Sequence, residues 1–241
     1  MQHLFSVLQQ VDSTNNYAMA AIRNGEALDG SCYFAMHQTE GKGQRGKVWE
    51  SQANENIALS IITKAKPIFS HNLFILNALV AVALRRFCEV STRCEGFTIK
   101  WPNDIYYGDK KAAGILIENI ITNAGTIQSV IGIGINVNQG SFGNHLPNPI
   151  SLRIVSEKTF NIVDLAKKLH EDILEALLQE SEEDIVNEYN LHLYKKQQEA
   201  KLKYNNASFL TTIKYVTKYG QLITNDVMER NFSFGEVIWE L

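Results

Sequence analysis

Residues 97–138 read FTIKWPNDIYYGDKKAAGILIENIITNAGTIQSVIGIGINVN, and the fold turns on how that stretch is parsed. Apolar runs at 97–101, 104–107, 111–121 and 126–138 are parted by the turn signals Gly108-Asp109 and Asn123-Ala124-Gly125, which predicts an antiparallel meander. Upstream, apolar runs at 31–37 and 57–62 predict two buried strands joined by a long loop rich in glycine and charge. Between them and the meander, Leu73, Leu76, Val80, Ala83, Leu84 and Phe87 recur at helical spacing and predict an amphipathic helix over 70–90. Asp12-Ser13-Thr14-Asn15-Asn16 offers caps for a short helix over 17–24 that Gly25 can end. Further on, Asn161 as cap with Asp164 opens a helix over 161–180, followed by another over 182–194. The polar stretch 195–206 predicts a linker, and beyond it four or five short strands with tight turns predict a small β-barrel. The chain therefore reads as α+β, with one domain over 1–194 and a small one over 195–241; no internal repeat or low-complexity tract interrupts it.

With 241 residues there is room for a core that needs neither disulfides nor structural zinc. At 45% hydrophobic and 20% charged residues, disordered and fibrous classes are excluded. Lys and Arg number 23 against 26 Asp and Glu, a formal charge of −3, so no global basic field exists to hold a nucleic acid duplex. Cys32, Cys88 and Cys94 are unpaired in spacing and fit buried, reduced thiols. The longest apolar stretch, 74–84, is broken by Asn77 and ends at Arg85-Arg86, short of the roughly 20 residues of a membrane span. The first ten residues lack a basic region followed by an apolar run, which together with the thiols predicts a cytoplasmic protein.

Four segments can carry chemistry. Gly41-Lys42-Gly43-Gln44-Arg45-Gly46-Lys47-Val48-Trp49 matches two phosphate-loop patterns in its letters, but neither the helix of a dinucleotide fold nor the H-R-D and D-F-G of a kinase follows. What remains is bare backbone with three cations in six residues, which can cradle phosphate or be a solvated loop; Trp49 beside it can stack on a base or belong to the core. In Lys100-Trp101-Pro102-Asn103-Asp104, Asp104 can hold Mg²⁺, bond a ligand or serve the turn. Lys111, entering the apolar strand Ala112-Ala113-Gly114-Ile115-Leu116-Ile117, is either an edge gatekeeper or a charge aimed into a cleft. Gly132 and Gly134 inside a strand signal either a close approach or a bulge. No histidine has a metal-ligand partner at the required spacing, and G-x-S-x-G is absent.

In order and spacing, Asp12-Ser13-Thr14-Asn15, Gln38-Thr39-Glu40-Gly41-Lys42-Gly43-Gln44-Arg45-Gly46, Lys100-Trp101-Pro102-Asn103-Asp104, Lys111-Ala112-Ala113-Gly114-Ile115-Leu116-Ile117-Glu118 and Gly132-Ile133-Gly134-Ile135-Asn136 together resemble the biotin protein ligase family. The resemblance implies an enzyme that activates biotin with Mg-ATP to biotinyl-5′-AMP and pyrophosphate, then acylates one lysine of a biotin carboxyl carrier protein. It also implies a catalytic fold similar to class II aminoacyl-tRNA synthetases and lipoate ligases, a mixed, largely antiparallel sheet backed by helices, followed by an SH3-like barrel. By motif, Ser13, Thr14, Asn15 and Gln38 would bind the biotin head, with Gly114 and Gly132 beside it. Gly41, Lys42, Gly43, Gln44, Arg45 and Lys47 would fold over biotin and the adenylate phosphate, as a loop mobile without ligand. Trp49 would stack on adenine, while Asn103, Gly134 and Asn136 would line the nucleotide site. Lys111 would contact the biotin carboxylate and the α-phosphate, with Arg45 and Asp104 completing the catalytic set and Asp104 a candidate Mg²⁺ ligand.

The family loop usually reads Gly-Arg-Gly-Arg, and here Lys42 and Gln44 replace the arginines. Lysine keeps the charge without the bidentate fork and glutamine loses it, which predicts looser retention of the adenylate. The motifs begin at residue 12, which predicts the type without an N-terminal DNA-binding domain, with no nucleic acid or membrane partner and with monomer and homodimer both open. A lipoate or octanoate ligase shares the chemistry but needs an alkyl pocket; a noncatalytic ligand sensor would not require Lys111.

Overall fold

The computed structural model describes every residue except 1–3, 65, 71, 122–126, 180 and 241, so the expected turn at Asn123-Ala124-Gly125 lies outside the described residues. In chain order the elements are β1 (Phe5–Leu8), α1 (Thr14–Arg23), β2 (Cys32–Ala35), β3 (Ile57–Lys64), α2 (Pro67–Ser70), α3 (Leu73–Thr92), β4 (Phe97–Lys100), β5 (Asp104–Tyr107), β6 (Lys110–Ile121) and β7 (Ile127–Ile135). There follow α4 (Leu152–Ser156), α5 (Ile162–Ala176), α6 (Glu182–Leu191), β8 (Glu199–Tyr204), β9 (Ala207–Val216), β10 (Leu222–Asn225), β11 (Glu229–Phe232) and β12 (Val237–Glu240).

The meander forms as read: β4, β5, β6 and β7 pair antiparallel in sequence. β7 continues onto β3 and β3 onto β2, both antiparallel, and β1 joins β2 in parallel, giving a seven-stranded mixed sheet in the order β1-β2-β3-β7-β6-β5-β4. A parallel neighbour needs a crossover rather than a hairpin, and α1 supplies it. Alternation along β3 then divides two environments. Ile57, Leu59 and Ile61 enter the main core with Leu76, Leu84 and Leu169 of α3 and α5. Ala58 and Ser60 face the other way, and Ile62 beyond them packs with Ala18 and Ile22 of α1. That second face, covered only partly by α1, is where a cleft opens.

Several expectations are corrected. β1 was not anticipated, because four half-exposed residues show no clean alternation. α1 begins at Thr14, three residues before the expected start, with Ser13 as its N-cap. α3, capped by Asn72 accepting from the Phe74 amide at 3.2 Å, is buried around most of its circumference rather than along one stripe. α6 ends at Leu191, after which Leu193 forms a bridge to Ile99 at the sheet edge.

The stretch 195–206 is not a linker, since β8 lies inside it: Ala200 and Leu202 point into the core while Glu199 and Lys201 face water. The five final strands form an antiparallel sheet in the order β11-β10-β9-β8-β12, and among the described residues its end strands do not pair with each other, so it is an open sheet and not a closed barrel. Leu202, Ile213, Val216 and Phe232 belong to the same buried cluster as Leu76 and Ile99, so one apolar core runs from the large sheet into the small one. Polar ties cross the junction as well: the Trp101 indole donates to the Gly220 carbonyl at 2.9 Å, and Asn190 both donates to and accepts from the Val216 backbone. No helix among the described residues is long and apolar enough to cross a membrane.

Candidate active site

Strand register assembles the cleft. Across β4, β5, β6, β7 and β3, one row of directly opposed residues runs Lys100, Asp104, Gly114, Gly134, Ala58. The row is charged at one end and almost without side chains in the middle. Two residues along, Leu116, Gly132 and Ser60 form the next row on the same face. The bare backbone leaves a cleft, open to solvent, lined by both rows.

Its polar end lies under α1. Because Ser13 and Thr14 open the helix, their side chains and that of Asn15 turn toward the sheet, where all three are buried. The Thr14 backbone N–H donates to Gln38 Oε1 at 2.7 Å, and the Asn15 side-chain Nδ2 donates to Glu118 Oε2 at 2.7 Å. Ser60 Oγ lies 2.8 Å from Thr14 Oγ1 and donates to Asn15 Oδ1 at 2.5 Å. A Cβ on Gly132 would lie 2.3 Å from Asn15 Oδ1, so glycine there is a steric requirement. Ser60 and Glu118 belong to this cluster and were not anticipated as site residues. A lone hydroxyl in the apolar run Ile57-Ala58-Leu59-Ser60-Ile61-Ile62 was the available signal, and Glu118 ends a motif already quoted.

The cationic end is the pair Lys111 Nζ–Asp104 Oδ1 at 2.7 Å, each side chain partly exposed. Lys111 is therefore aimed into the cleft, with its Nζ 5.5 Å from the Trp49 ring centroid and 3.2 Å from where a Gly114 Cβ would stand. Its backbone is pinned, the amide donating to Asn148 O and the carbonyl accepting from the Ile150 amide and the Asn136 side chain. Asn136 thus braces the strand beneath Lys111 and does not line the cleft.

Trp49 covers the bare row. A Cβ on Gly134 would lie 2.4 Å from Trp49 Cε2, and the indole Nε1 is buried without a hydrogen-bond partner among the described residues. A buried donor left unpaired costs about 1–3 kcal/mol, so this ring occupies a place suited to an acceptor that would satisfy it. The loop leading to Trp49 folds back on itself, with Gly43 N donating to Lys47 O at 2.7 Å and Trp49 N donating to Gly41 O at 2.8 Å. Its three cations go to different places. Lys42 donates to Asn16 Oδ1 at 2.5 Å; Arg45, at a left-handed φ of 57°, donates to Gly235 O in the turn before β12; Lys47 is exposed. Gln44 reaches the Ile115 carbonyl at 3.4 Å. Lys42, Gly43, Gln44 and Asn103 line the cleft, whereas Gly41, Arg45 and Lys47 do not. No group of three or more His, Cys, Asp or Glu among the described residues could hold a metal ion. Burial pushes the Cys32 and Cys88 thiols upward, in keeping with inert core residues.

Comparison with known proteins adds to this geometry. The sequence model for the Biotin/lipoate A/B protein ligase family matches residues 7–136. Over 135 residues the chain is 36% identical to the bifunctional ligase/repressor BirA of Escherichia coli, a match covering 55% of this chain and 40% of that protein. It is 32% identical over 135 residues to the biotin--[acetyl-CoA-carboxylase] ligase of Mycobacterium tuberculosis, covering 55% of this chain and 49% of that one. The chain thus spans less than half the length of these curated relatives. The structure of a biotin protein ligase from Aquifex aeolicus in complex with biotin and ATP superposes with a TM-score of 0.82 over 98% of each chain at 22% identity, which establishes a shared fold.

Proposed function

This chain belongs to the biotin/lipoate A/B protein ligase family, and from that premise we propose that it is a biotin protein ligase, joining biotin to ATP and then passing the biotinyl group to a lysine of a biotin carboxyl carrier protein. The observation that carries the reading is the division of one cleft into a buried amide-and-hydroxyl cluster at one end and the Lys111–Asp104 pair at the other, with a side-chain-free strip between. A ureido head wants several fixed donors and acceptors, which Thr14, Asn15, Gln38 and Ser60 supply by exchanging bonds they now make with one another; an alkyl chain makes no use of them, which favours biotin over lipoate.

In the first step a carboxylate oxygen of biotin attacks the α-phosphorus of ATP and the bond to pyrophosphate breaks. Negative charge accumulates on the α-phosphoryl oxygens and the leaving group, and Lys111, with its backbone already braced by Asn136, is placed to meet that charge. The bare Gly114 and Gly134 backbone and Trp49 suit a flat base, and Asn103 stands beside that strip. Mg²⁺ in this scheme accompanies the triphosphate and screens its charge, since Asp104 alone makes no protein cage and already pairs with Lys111. In the second step the carrier amine attacks the acyl carbon, AMP leaves, and the amine proton passes to a base, for which Asp104 is the nearest carboxylate to Lys111.

The loop of residues 41–49 serves as the lid over the adenylate, since a mixed anhydride must be kept from water. In the same reading the large sheet corresponds to the class II synthetase-like catalytic domain over 1–194, and the open sheet of 195–241 is a counterpart of an SH3-like barrel. The reaction takes place in the cytoplasm, where ATP and the carrier meet. Pyrophosphate release that requires biotin and ATP together, with a mass gain of biotin and not lipoate on the carrier, tests the proposal; release without biotin, or a lipoyl product, contradicts it.

A further inference from the structure

Lys100 stands directly opposite Asp104 in the β4–β5 pair, on the same face as the cleft strip. Its Nζ is 5.0 Å from the Tyr106 ring centroid and 5.4 Å from that of Trp239, and Tyr194 packs on both rings. Tyr194 is itself fixed by donating to the Asp109 carboxylate. A wall of this cage, Trp239, comes from β12, so the small sheet reaches the charged end of the cleft.

We propose that Lys100 is a positioning residue of the reaction centre: clamped by Tyr106 and Trp239 across the strand pair from Asp104, its ammonium remains as a counter-charge to that carboxylate when Lys111 turns to a substrate anion. The identity of that anion rests on the ligase reading above; the sharing of charge does not. Lys111 divides its charge once it meets a phosphoryl group, which weakens its hold on Asp104, and an Asp104 carboxylate with one-fifth of its surface exposed is costly to leave without a full counterion. Burial holds Lys100 down to about 8, the Asp104 charge pulls against that, and Lys111 and Lys47 push further down. An anion entering the cleft removes part of that repulsion and favours the charged ammonium.

The test uses the full chain with Lys100→Met, Lys100→Arg and Trp239→Leu. Biotin-dependent ATP–pyrophosphate exchange gives kcat and the biotin KM; the 13C chemical shift of the Asp104 carboxyl with AMP added reads its ionisation without turnover. We expect K100M to lower kcat by roughly 10-fold to 100-fold, the size of a lost interaction with a charged group, with biotin KM changed less than about 2-fold. K100R, which keeps the charge, recovers most of kcat, and the Asp104 signal moves toward the protonated position only in K100M. Normal kcat and an unmoved carboxyl signal in K100M overturn the inference. If K100M melts far below the parent, Trp239→Leu decides, because it loosens the clamp and keeps the ammonium: lowered kcat supports the role and unchanged kcat overturns it. Absence of any biotin-dependent exchange in the parent protein defeats the ligase reading, while the carboxyl signal with AMP still decides whether Lys100 shares Asp104.

Discussion

The Trp49 indole rests on the backbone of Gly134, so closely that a Cβ there would come within 2.4 Å of Cε2, just as Asn15 rests on Gly132 at 2.3 Å from its would-be Cβ. The two glycines sit two residues apart on one strand face, one under the proposed nucleotide strip and the other under the proposed biotin head.

Alanine at each position should therefore separate the two ligands. Overpacking of a close contact costs about 1–3 kcal/mol, or about 10-fold to 100-fold in affinity. Gly134→Ala is expected to weaken ATP binding by that amount with biotin binding little changed, and Gly132→Ala to do the reverse. Calorimetric titration of each variant with each ligand checks the crossing pattern, and equal losses for both ligands in both variants would count against this division of the cleft.

Retention of the adenylate should respond to residue 44. Gln44 reaches the Ile115 carbonyl with a neutral amide, while Lys42 is engaged by Asn16, so the loop brings no guanidinium to the cleft. Gln44→Arg is expected to slow escape of the acyl adenylate by about 10-fold or more, the worth of a charge-assisted hydrogen bond. Stopped-flow measurement of adenylate release in parent and variant decides it, and an equal or faster release in the variant speaks against the loop's proposed role.

Stability should rise and then fall in alkali. Lys100 is held down to about 8 by burial, so between there and its ordinary value the unfolded chain binds a proton that the native chain does not, and stability climbs with pH by at most about 3 kcal/mol. Tyr106, Tyr189 and Tyr194 are pushed upward, chiefly by burial, so above about pH 10 the unfolded chain loses protons that the native chain keeps, and stability drops. Urea melts from pH 7.5 to 11 should show a maximum near pH 10, and Lys100→Met should abolish the rising limb; a rising limb preserved in that variant would remove Lys100 as its cause.

How far these features could be read in advance depended on whether they were local. The meander over 97–138 announced itself because its strands are apolar in runs and Gly108-Asp109 marks the β5–β6 turn, and β4 through β7 fall within a few residues of the reading. β8 did not, although Glu199-Ala200-Lys201-Leu202 alternates cleanly; a surface rich in lysine masked a strand whose inner residues are small in number. At the site, Thr14, Gln38, Trp49, Lys111 and Gly132 carry motif signatures and do line one cleft. Partnerships that depend on tertiary docking were not visible. Ser60 becomes a site residue only when α1 lies over β3, Arg45 meets Gly235 across 190 positions of sequence, and Asn136 serves as a brace because the 148–150 segment lies against Lys111.

The role proposed for Lys111 is that of one fixed cation driving phosphoryl chemistry on a carboxylic acid seated in this cleft. It is tested most directly by biotin-dependent pyrophosphate release in the parent protein and in Lys111→Met. Removing a single preorganised group of this kind is expected to slow release about 100-fold to 1000-fold while biotin alone still binds. Release at the parent rate from Lys111→Met would remove Lys111 from that role.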